Sequence, residues 1–223
     1  MIHADYCKQF IPEGGIVLDV GSGRGKFLSV MASLGFKAYG VEINSAYITE
    51  SENRAKSEGV LIKVVQGRGE KLPFLDNQLD FINCSEVTEH VENPFQVCRE
   101  IFRVLKNNRK CYISFHNRFG IYDYHYHLFG INCIPRCWTE KILKILGKQK
   151  SDNGVGHQKL VTMHYFTYRA IAKDLKNIGF IVKDIREEKI KRRYGGVRSF
   201  ILCFYWLLRP FYFNTFHLLL EKR

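Results

Sequence analysis

The sequence predicts an α/β protein built on a doubly wound, Rossmann-like parallel sheet. Two observations carry this. Apolar runs of five or six residues alternate with stretches of helical periodicity over the first half of the chain. The first run, Val17-Leu18-Asp19-Val20, ends in Gly21-Ser22-Gly23-Arg24-Gly25, and about twenty residues on a second run, Ala38-Tyr39-Gly40-Val41, ends at Glu42. A glycine-rich turn after one strand and an acid closing the next is the layout of a nucleotide-type cofactor site at the carboxyl end of a parallel sheet. Glycine lets backbone approach a ligand, and the carboxylate can accept from both ribose hydroxyls.

Each element has its own local signal. Ile16–Val20 reads as the first strand, 26–34 as a helix closed by Gly35, and 37–41 as the second strand. Ser45 is positioned to cap a helix that runs to Glu58 and stops at Gly59. Residues 60–66 and 79–85 give the third and fourth strands. Pro94 opens a helix whose buried stripe is Phe95, Cys98, Ile101, Phe102 and Leu105. Residues 110–115 form the fifth strand. The alternation then breaks: His116 to His164 is aromatic, His-rich and punctuated by glycine, with one helical stretch at 139–146. A helix at 168–177, stopped by Gly179, and a strand at 180–186 follow. The expected organisation is a cofactor domain over 1–196, with 118–166 inserted on the substrate side, and an apolar, basic segment at 197–223.

The 223 residues carry a formal charge of +12, and nine Lys or Arg against three Glu from Arg186 onward supply half of it. That asymmetry points to an anionic partner, a lipid surface or a nucleic acid, or to a solvated basic face. The seven cysteines are odd in number and scattered through apolar runs, as in a reducing, cytoplasmic compartment. The N-terminus lacks the basic start and apolar run of a signal peptide.

The glycine spacing separates cofactor classes. A dinucleotide site needs Gly-x-Gly-x-x-Gly, but here the third glycine comes one residue early and Lys26 holds the sixth place, which disfavours a dehydrogenase. Gly-x-Gly-x-Gly after an Asp-bearing strand resembles the first motif of the class I S-adenosylmethionine (SAM) dependent methyltransferases. Further matches follow in order: Arg68-Gly69-Glu70-Lys71-Leu72-Pro73-Phe74, Leu79-Asp80-Phe81-Ile82-Asn83-Cys84-Ser85, Glu89-His90-Val91 and Glu100 through Lys106, then a strand ending at Asn117. Together they resemble the small-molecule and lipid-type branch of that family over residues 14–117. A softer resemblance, at Asn117-Arg118-Phe119, Asp123, His125-Tyr126-His127, Asn132 and Pro135-Arg136, is to enzymes of cell-envelope glycan or lipid synthesis. The resemblance implies a mostly parallel seven-stranded sheet and SAM as cofactor. It implies that Asp19, Gly21, Gly23 and Gly25 bed the methionine part, Glu42 binds the ribose, Ile43 lies on the adenine, and Ser85 and Glu86 border the methyl group. Ser22, Arg68, Gly69 and Glu70 complete the cofactor-contacting set. Arg68 stands where the family has an acid that accepts from the adenine amino group, and arginine has no acceptor. Either Glu70 or a backbone carbonyl takes over, or affinity is weak. About fifteen residues precede the first strand, so a lid would come from the insertion or from another subunit.

Methyl transfer from a sulfonium is an in-line displacement of an activated leaving group, served by positioning and by exclusion of water. A hydroxyl acceptor also needs a base, and His90, His116, His125 and His127 are the main candidates, with His157 and His164 behind them. His90 equally orders a helix start, and His125 and His127 equally form a surface aromatic turn. His-x-His at 125–127 with Cys133 and Cys137 is a poor zinc signature, and no metal is expected there.

The tail carries nine unbroken apolar residues at 200–208, then Arg209-Pro210 and a further aromatic and aliphatic run. Nine residues are too few to span a bilayer. With basic residues on both sides, the segment suits an anionic membrane surface, here the inner face of a membrane, and the alternatives are a last strand with a packing helix or a homodimer interface. The expected function is SAM-dependent methyl transfer to a small-molecule or lipid- or glycan-linked acceptor at oxygen. A SAM-fold binding protein without transfer activity and an RNA methyltransferase are the competing readings. The last is disfavoured by Ser85-Glu86-Val87-Thr88, which lacks the Asn/Asp-Pro-Pro-aromatic motif of amino-group nucleic-acid methyltransferases.

Overall fold

The structure, a computed structural model, describes residues 2–150, 158–193 and 198–223. The chain runs through α1 (Ile2–Lys8), β1 (Ile16–Val20), α2 (Lys26–Ser33), β2 (Lys37–Glu42), α3 (Ser45–Ser57), β3 (Ile62–Gln66), β4 (Leu79–Cys84), α4 (Pro94–Val104) and β5 (Leu105–His116). The hairpin β6 (Tyr122–Asp123) and β7 (Leu128–Phe129), a 3-10 turn at Ile131–Cys133 and α5 (Arg136–Ile145) follow. Then come α6 (Tyr168–Ile178), β8 (Phe180–Asp184), α7 (Ile185–Arg193), α8 (Arg198–Tyr212) and β9 (Thr215–Lys222). The seven-stranded sheet has the order β3-β2-β1-β4-β5-β9-β8. All pairings are parallel from β3 across to β5, and β9 runs antiparallel to both of its neighbours. The strand order reverses between β1 and β4, so a crevice opens beyond the carboxyl ends of those two strands.

The two-residue period of β1 distributes its side chains to opposite faces. Leu18 and Val20 face a core completed by Val97, Cys98 and Ile101 of α4 and by Ile171 and Leu175 of α6. Val17 faces the other core, with Leu28 and Met31 of α2, Cys7 of α1, Phe81 and Leu219. The insertion encloses a third, smaller core of Tyr126, Ile131, Leu143, Leu160 and Met163.

Several boundaries differ from the sequence reading for local reasons. The cap of α3 is Asn44, whose Oδ1 accepts from the Ala46 amide at 3.0 Å, and Ser45 is already helical. β3 starts at Ile62 because the Val60 amide closes α3 by donating to the Ala55 carbonyl. β5 begins at Leu105, through Lys106-Asn107-Asn108-Arg109, a polar run whose composition hides a strand. β8 ends at Asp184, whose Oδ1 accepts from the Arg186 amide at 3.0 Å and so opens α7. That helix carries Glu187 and Glu188 in its first turn and basic residues in its last, which complements its dipole.

The C-terminal run divides in two. β9 lies inside the sheet between β5 and β8. α8 turns Leu202 and Tyr205 inward and leaves Phe200, Phe204, Leu207 and Phe211 exposed. The 196/197 boundary falls outside the described residues. Among those residues, no helix is long and apolar enough to cross a membrane. The seven cysteines are free, and four of them (Cys7, Cys84, Cys98 and Cys111) are buried.

Candidate active site

The turn leaving β1 is locked onto the end of β2. The Gly21 amide donates to the Val41 carbonyl at 2.8 Å, and the Gly23 amide donates to Glu42 Oε2 at 2.8 Å. Glu42 Oε1 accepts from the Ile43 and Asn44 amides, each at 2.9 Å. Three backbone amides therefore fix this buried carboxylate. Of its roughly four lone-pair sites, the one left is on Oε2. Gly25, at φ 72°, leads into α2, and a Cβ there would stand 2.6 Å from Ser51 Cβ of α3. Gly23 faces open space, with nothing within 4 Å of where a Cβ would be. Ile43, 47% exposed, offers an apolar face beside Glu42, and the Ser22 hydroxyl in the same turn is buried without a hydrogen-bond partner. A loop with open space above it, a fixed carboxylate and an adjoining apolar side chain fit an adenosyl ligand.

Asp19 lies beneath this turn. Its Oδ1 accepts from Asn83 Nδ2 of β4 at 2.6 Å. Burial pushes its carboxyl up to about 8, against the lowering effect of the Asn83 hydrogen bond and with a smaller rise from the nearby Glu42 charge. A cationic group seated next to Asp19 would reverse that balance.

Arg68 forms an ion pair with Glu92, Nη1 to Oε1 at 2.6 Å, in which both side chains are more than half exposed. Glu70 is committed as well: its Oε1 accepts from the Glu92 amide at 3.0 Å, just before α4. Arg68 and Oε1 of Glu70 are thus both tied to the segment before α4.

On the opposite side of the crevice, beyond β4, polar groups converge. Ser85 leads into Glu86, which holds a left-handed φ of 57°. The Glu86 amide donates to Ser114 Oγ at 2.9 Å, and that hydroxyl donates to Glu86 Oε1 at 3.0 Å. His116, at the end of β5, sets Nε2 2.9 Å from Glu86 Oε2 and 3.1 Å from Glu89 Oε1. The insertion brings His125 over this group, its ring centroid 4.9 Å from that of His116 and 5.3 Å from that of His90. His125 Nδ1 lies 3.1 Å from the Tyr165 hydroxyl, which donates to Asp123 Oδ2. Burial works against a charged His116, but the hydrogen bonds and charges of Glu86 and Glu89 outweigh it and push the imidazole up to about 10. His125 moves the other way, to about 4, through burial first and then the neighbouring His116 charge. At neutral pH His116 is thus a fixed cation and cannot take a proton, whereas His125 is neutral.

The structure brings His90, His116 and His125 together and separates His127. That residue is exposed at φ 52°, with its ring nitrogen on Tyr122. Two groups among the described residues have ligand geometry: Glu89 with His90 and His125, and Glu86 with Glu89 and His116. His127, Cys133 and Cys137 belong to neither. His164 lies near Phe166, its amide on the Glu89 carbonyl, and His157 lies outside the described residues. Sequence reasoning did not single out Asn83, Glu89 or Tyr165 as site residues. The spacing Glu86-x-x-Glu89-His90 at the end of an apolar strand was a usable signal for Glu89. Tyr165 carried none, because its partner is forty residues away.

Residues 18–113 match the methyltransferase domain family. An uncharacterized methyltransferase of Mycobacterium leprae is 38% identical over 98 residues, 43% of this chain and 35% of the relative. The ubiquinone biosynthesis O-methyltransferase of Pseudomonas syringae pv. tomato is 27% identical over 191 residues, 78% of this chain and 79% of the relative. In several of the first relatives the matched stretch spans less than half of their own length. A SAM-dependent methyltransferase from Methanosarcina mazei shares the fold, with a TM-score of 0.60 at 19% identity over 96% of this chain and 95% of that one. The fold is that of the class I SAM-dependent methyltransferases, and the match to the methyltransferase domain family covers the stretch from β1 to β5.

Proposed function

We propose that the protein transfers the methyl group of SAM to a hydroxyl oxygen of a small or lipid-linked acceptor held beneath the insertion. The observation that supports this most directly is the Gly23–Glu42 hydrogen bond, which makes the turn after β1 and the end of β2 one cradle. SAM supplies a methyl already activated on a sulfonium. The remaining lone pair of Glu42 Oε2 accepts from ribose, Ile43 covers the adenine, and Asp19 faces the ammonium end. Across the crevice, Glu86 and His116 form a charged wall and His125 closes the acceptor side from above. The two sides then position donor and acceptor with little water between them. Calorimetry with S-adenosylhomocysteine (SAH) tests the cradle. Incubation of a membrane extract with radiolabelled SAM, followed by organic extraction, tests the acceptor class. A chain that binds no SAH sinks the reading, and label confined to the aqueous phase removes the lipid-linked acceptor.

The exposed aromatic face of α8 favours an anionic membrane as the place where the acceptor is met. Phe200, Phe204, Leu207 and Phe211 are exposed on α8, and α7, which is in contact with α8, ends in Arg192 and Arg193, a combination of apolar and basic groups suited to an interface.

A further inference from the structure

We propose that Glu89, His90 and His125 bind a divalent first-row transition cation at the acceptor side of the crevice. The inference builds on the proposed transferase site but stands on its own geometry. One ligand atom from each of the three residues lies within 4.8 Å of the others. Glu89 is fully buried, and neither of its carboxylate oxygens has a hydrogen-bond partner. An uncompensated buried carboxylate is costly, so a native site supplies a counter-charge. His116 meets that need only in part: its one Nε2 is shared between two carboxylates, 2.9 Å from Glu86 Oε2 and 3.1 Å from Glu89 Oε1.

The two other histidines are prepared as ligands by their outer partners. Gln158 donates its amide to the Thr162 carbonyl, so Gln158 Oε1 accepts from His90 Nδ1 at 2.9 Å. That fixes the proton on Nδ1 and leaves the Nε2 lone pair 3.6 Å from Glu89 Oε1. Two acceptors facing each other at that distance repel unless a proton or a metal cation lies between them, and the ligand atom of His125 within 4.8 Å of both gives a metal cation a third ligand. Tyr165 uses its single proton on Asp123, so His125 Nδ1 must donate to the Tyr165 oxygen and its Nε2 keeps a lone pair. Imidazoles held by an outer carboxylate or carbonyl in this way are typical of metal sites. One carboxylate and two neutral imidazoles suit Zn2+, Mn2+ or Fe2+ better than Ca2+ or Mg2+. Three protein ligands leave positions open for an acceptor oxygen. His90, one-third exposed at its side chain, gives the path to solvent.

Chelator-stripped protein is titrated with Mn2+ by electron paramagnetic resonance and with Zn2+ by calorimetry, with SAH binding measured in parallel. The expected result is one cation per chain, with affinity falling about tenfold or more in His90→Asn, Glu89→Gln and Tyr165→Phe. SAH affinity should hold in all three. Equal cation affinity in wild type and His90→Asn, or no uptake at millimolar cation, overturns the inference. If the buried Glu89→Gln does not fold, the Co2+ spectrum of the wild type decides, since absence of bound-ligand d–d bands is equally fatal. A chain that takes up SAH but no cation overturns the metal site and leaves the transferase reading. The reverse pattern supports the site and removes that reading.

Discussion

Asn83 Nδ2 donates to Asp19 Oδ1 at 2.6 Å across adjacent parallel strands, beneath the glycine turn. The bond holds a buried acid whose pKa is raised from 3.8 to about 8, with burial as the largest cause. The folded protein therefore keeps a proton that the unfolded chain gives up. The resulting stability is fully present below pH 3.8 and is lost as pH rises through about 8. Asp19→Asn should flatten this part of the melting-temperature profile between pH 5 and 8 in ligand-free protein. A mutant slope equal to wild type would rule Asp19 out as the source.

The same acid predicts proton release on ligand binding. An ammonium seated beside Asp19 favours the carboxylate, so SAH binding at neutral pH should expel up to one proton per chain, by linkage. Calorimetry in phosphate and in Tris, whose ionisation enthalpies differ widely, reads this directly. Identical binding enthalpies in the two buffers would show that the ammonium is held elsewhere.

Glu42 makes a separate prediction. Glu42→Gln replaces one carboxylate oxygen by a donor, and three backbone amides compete for the acceptor that remains. Loss of a charge-assisted hydrogen bond to ribose is worth about 1.5–3 kcal/mol, so SAH affinity should fall by roughly ten- to a hundredfold. Undiminished affinity would place the ribose away from the end of β2.

The glycine turn is also a test of packing. Gly25 combines a left-handed φ of 72° with a virtual Cβ 2.6 Å from Ser51 Cβ. Gly25→Ala must move α3 against the turn, at a cost of about 1–3 kcal/mol in stability. Gly23→Ala has the same left-handed backbone but meets no neighbour, so it should lower the melting temperature less and SAH affinity more. Equal melting in the two variants would contradict the close approach at Ser51.

The cofactor half of this site was legible because it is local: a strand end, a tight turn and a second strand end lie within 26 residues, and each has its own residue signature. The other half was not. His125 and His127 look alike in sequence, and only the β6–β7 hairpin turns one onto His116 and the other toward Tyr122. The tail was ambiguous for a similar reason. In the run at 215–222, Phe216, Leu218 and Leu220 pack into one core and Leu219 into the other, and periodicity over so short an apolar stretch does not separate a strand from an interfacial segment. The nine apolar residues at 200–208 lie within α8, whose two faces have different surroundings.

Those two faces make the last prediction, and they decide how it must be tested. Deletion of 197–223 would remove β9 from the interior of the sheet, so a loss of vesicle binding in that truncation would report unfolding. Point changes avoid this. Phe200, Phe204 and Leu207 are 76%, 56% and 68% exposed, and replacing them with serine should leave the melting temperature unchanged. Tyr205, on the inner face, donates to Asp184 Oδ2 at 2.6 Å, and Arg209 reaches the same carboxylate at 3.3 Å. Tyr205→Phe should therefore destabilise the fold by about 1–3 kcal/mol, the cost of leaving a buried acceptor short of a donor. If α8 docks on an anionic membrane, the triple serine variant loses co-sedimentation with phosphatidylglycerol vesicles, while Tyr205→Phe, once folded, keeps it. Binding of the serine variant at the wild-type level would remove the aromatic face of α8 from any membrane contact of this protein.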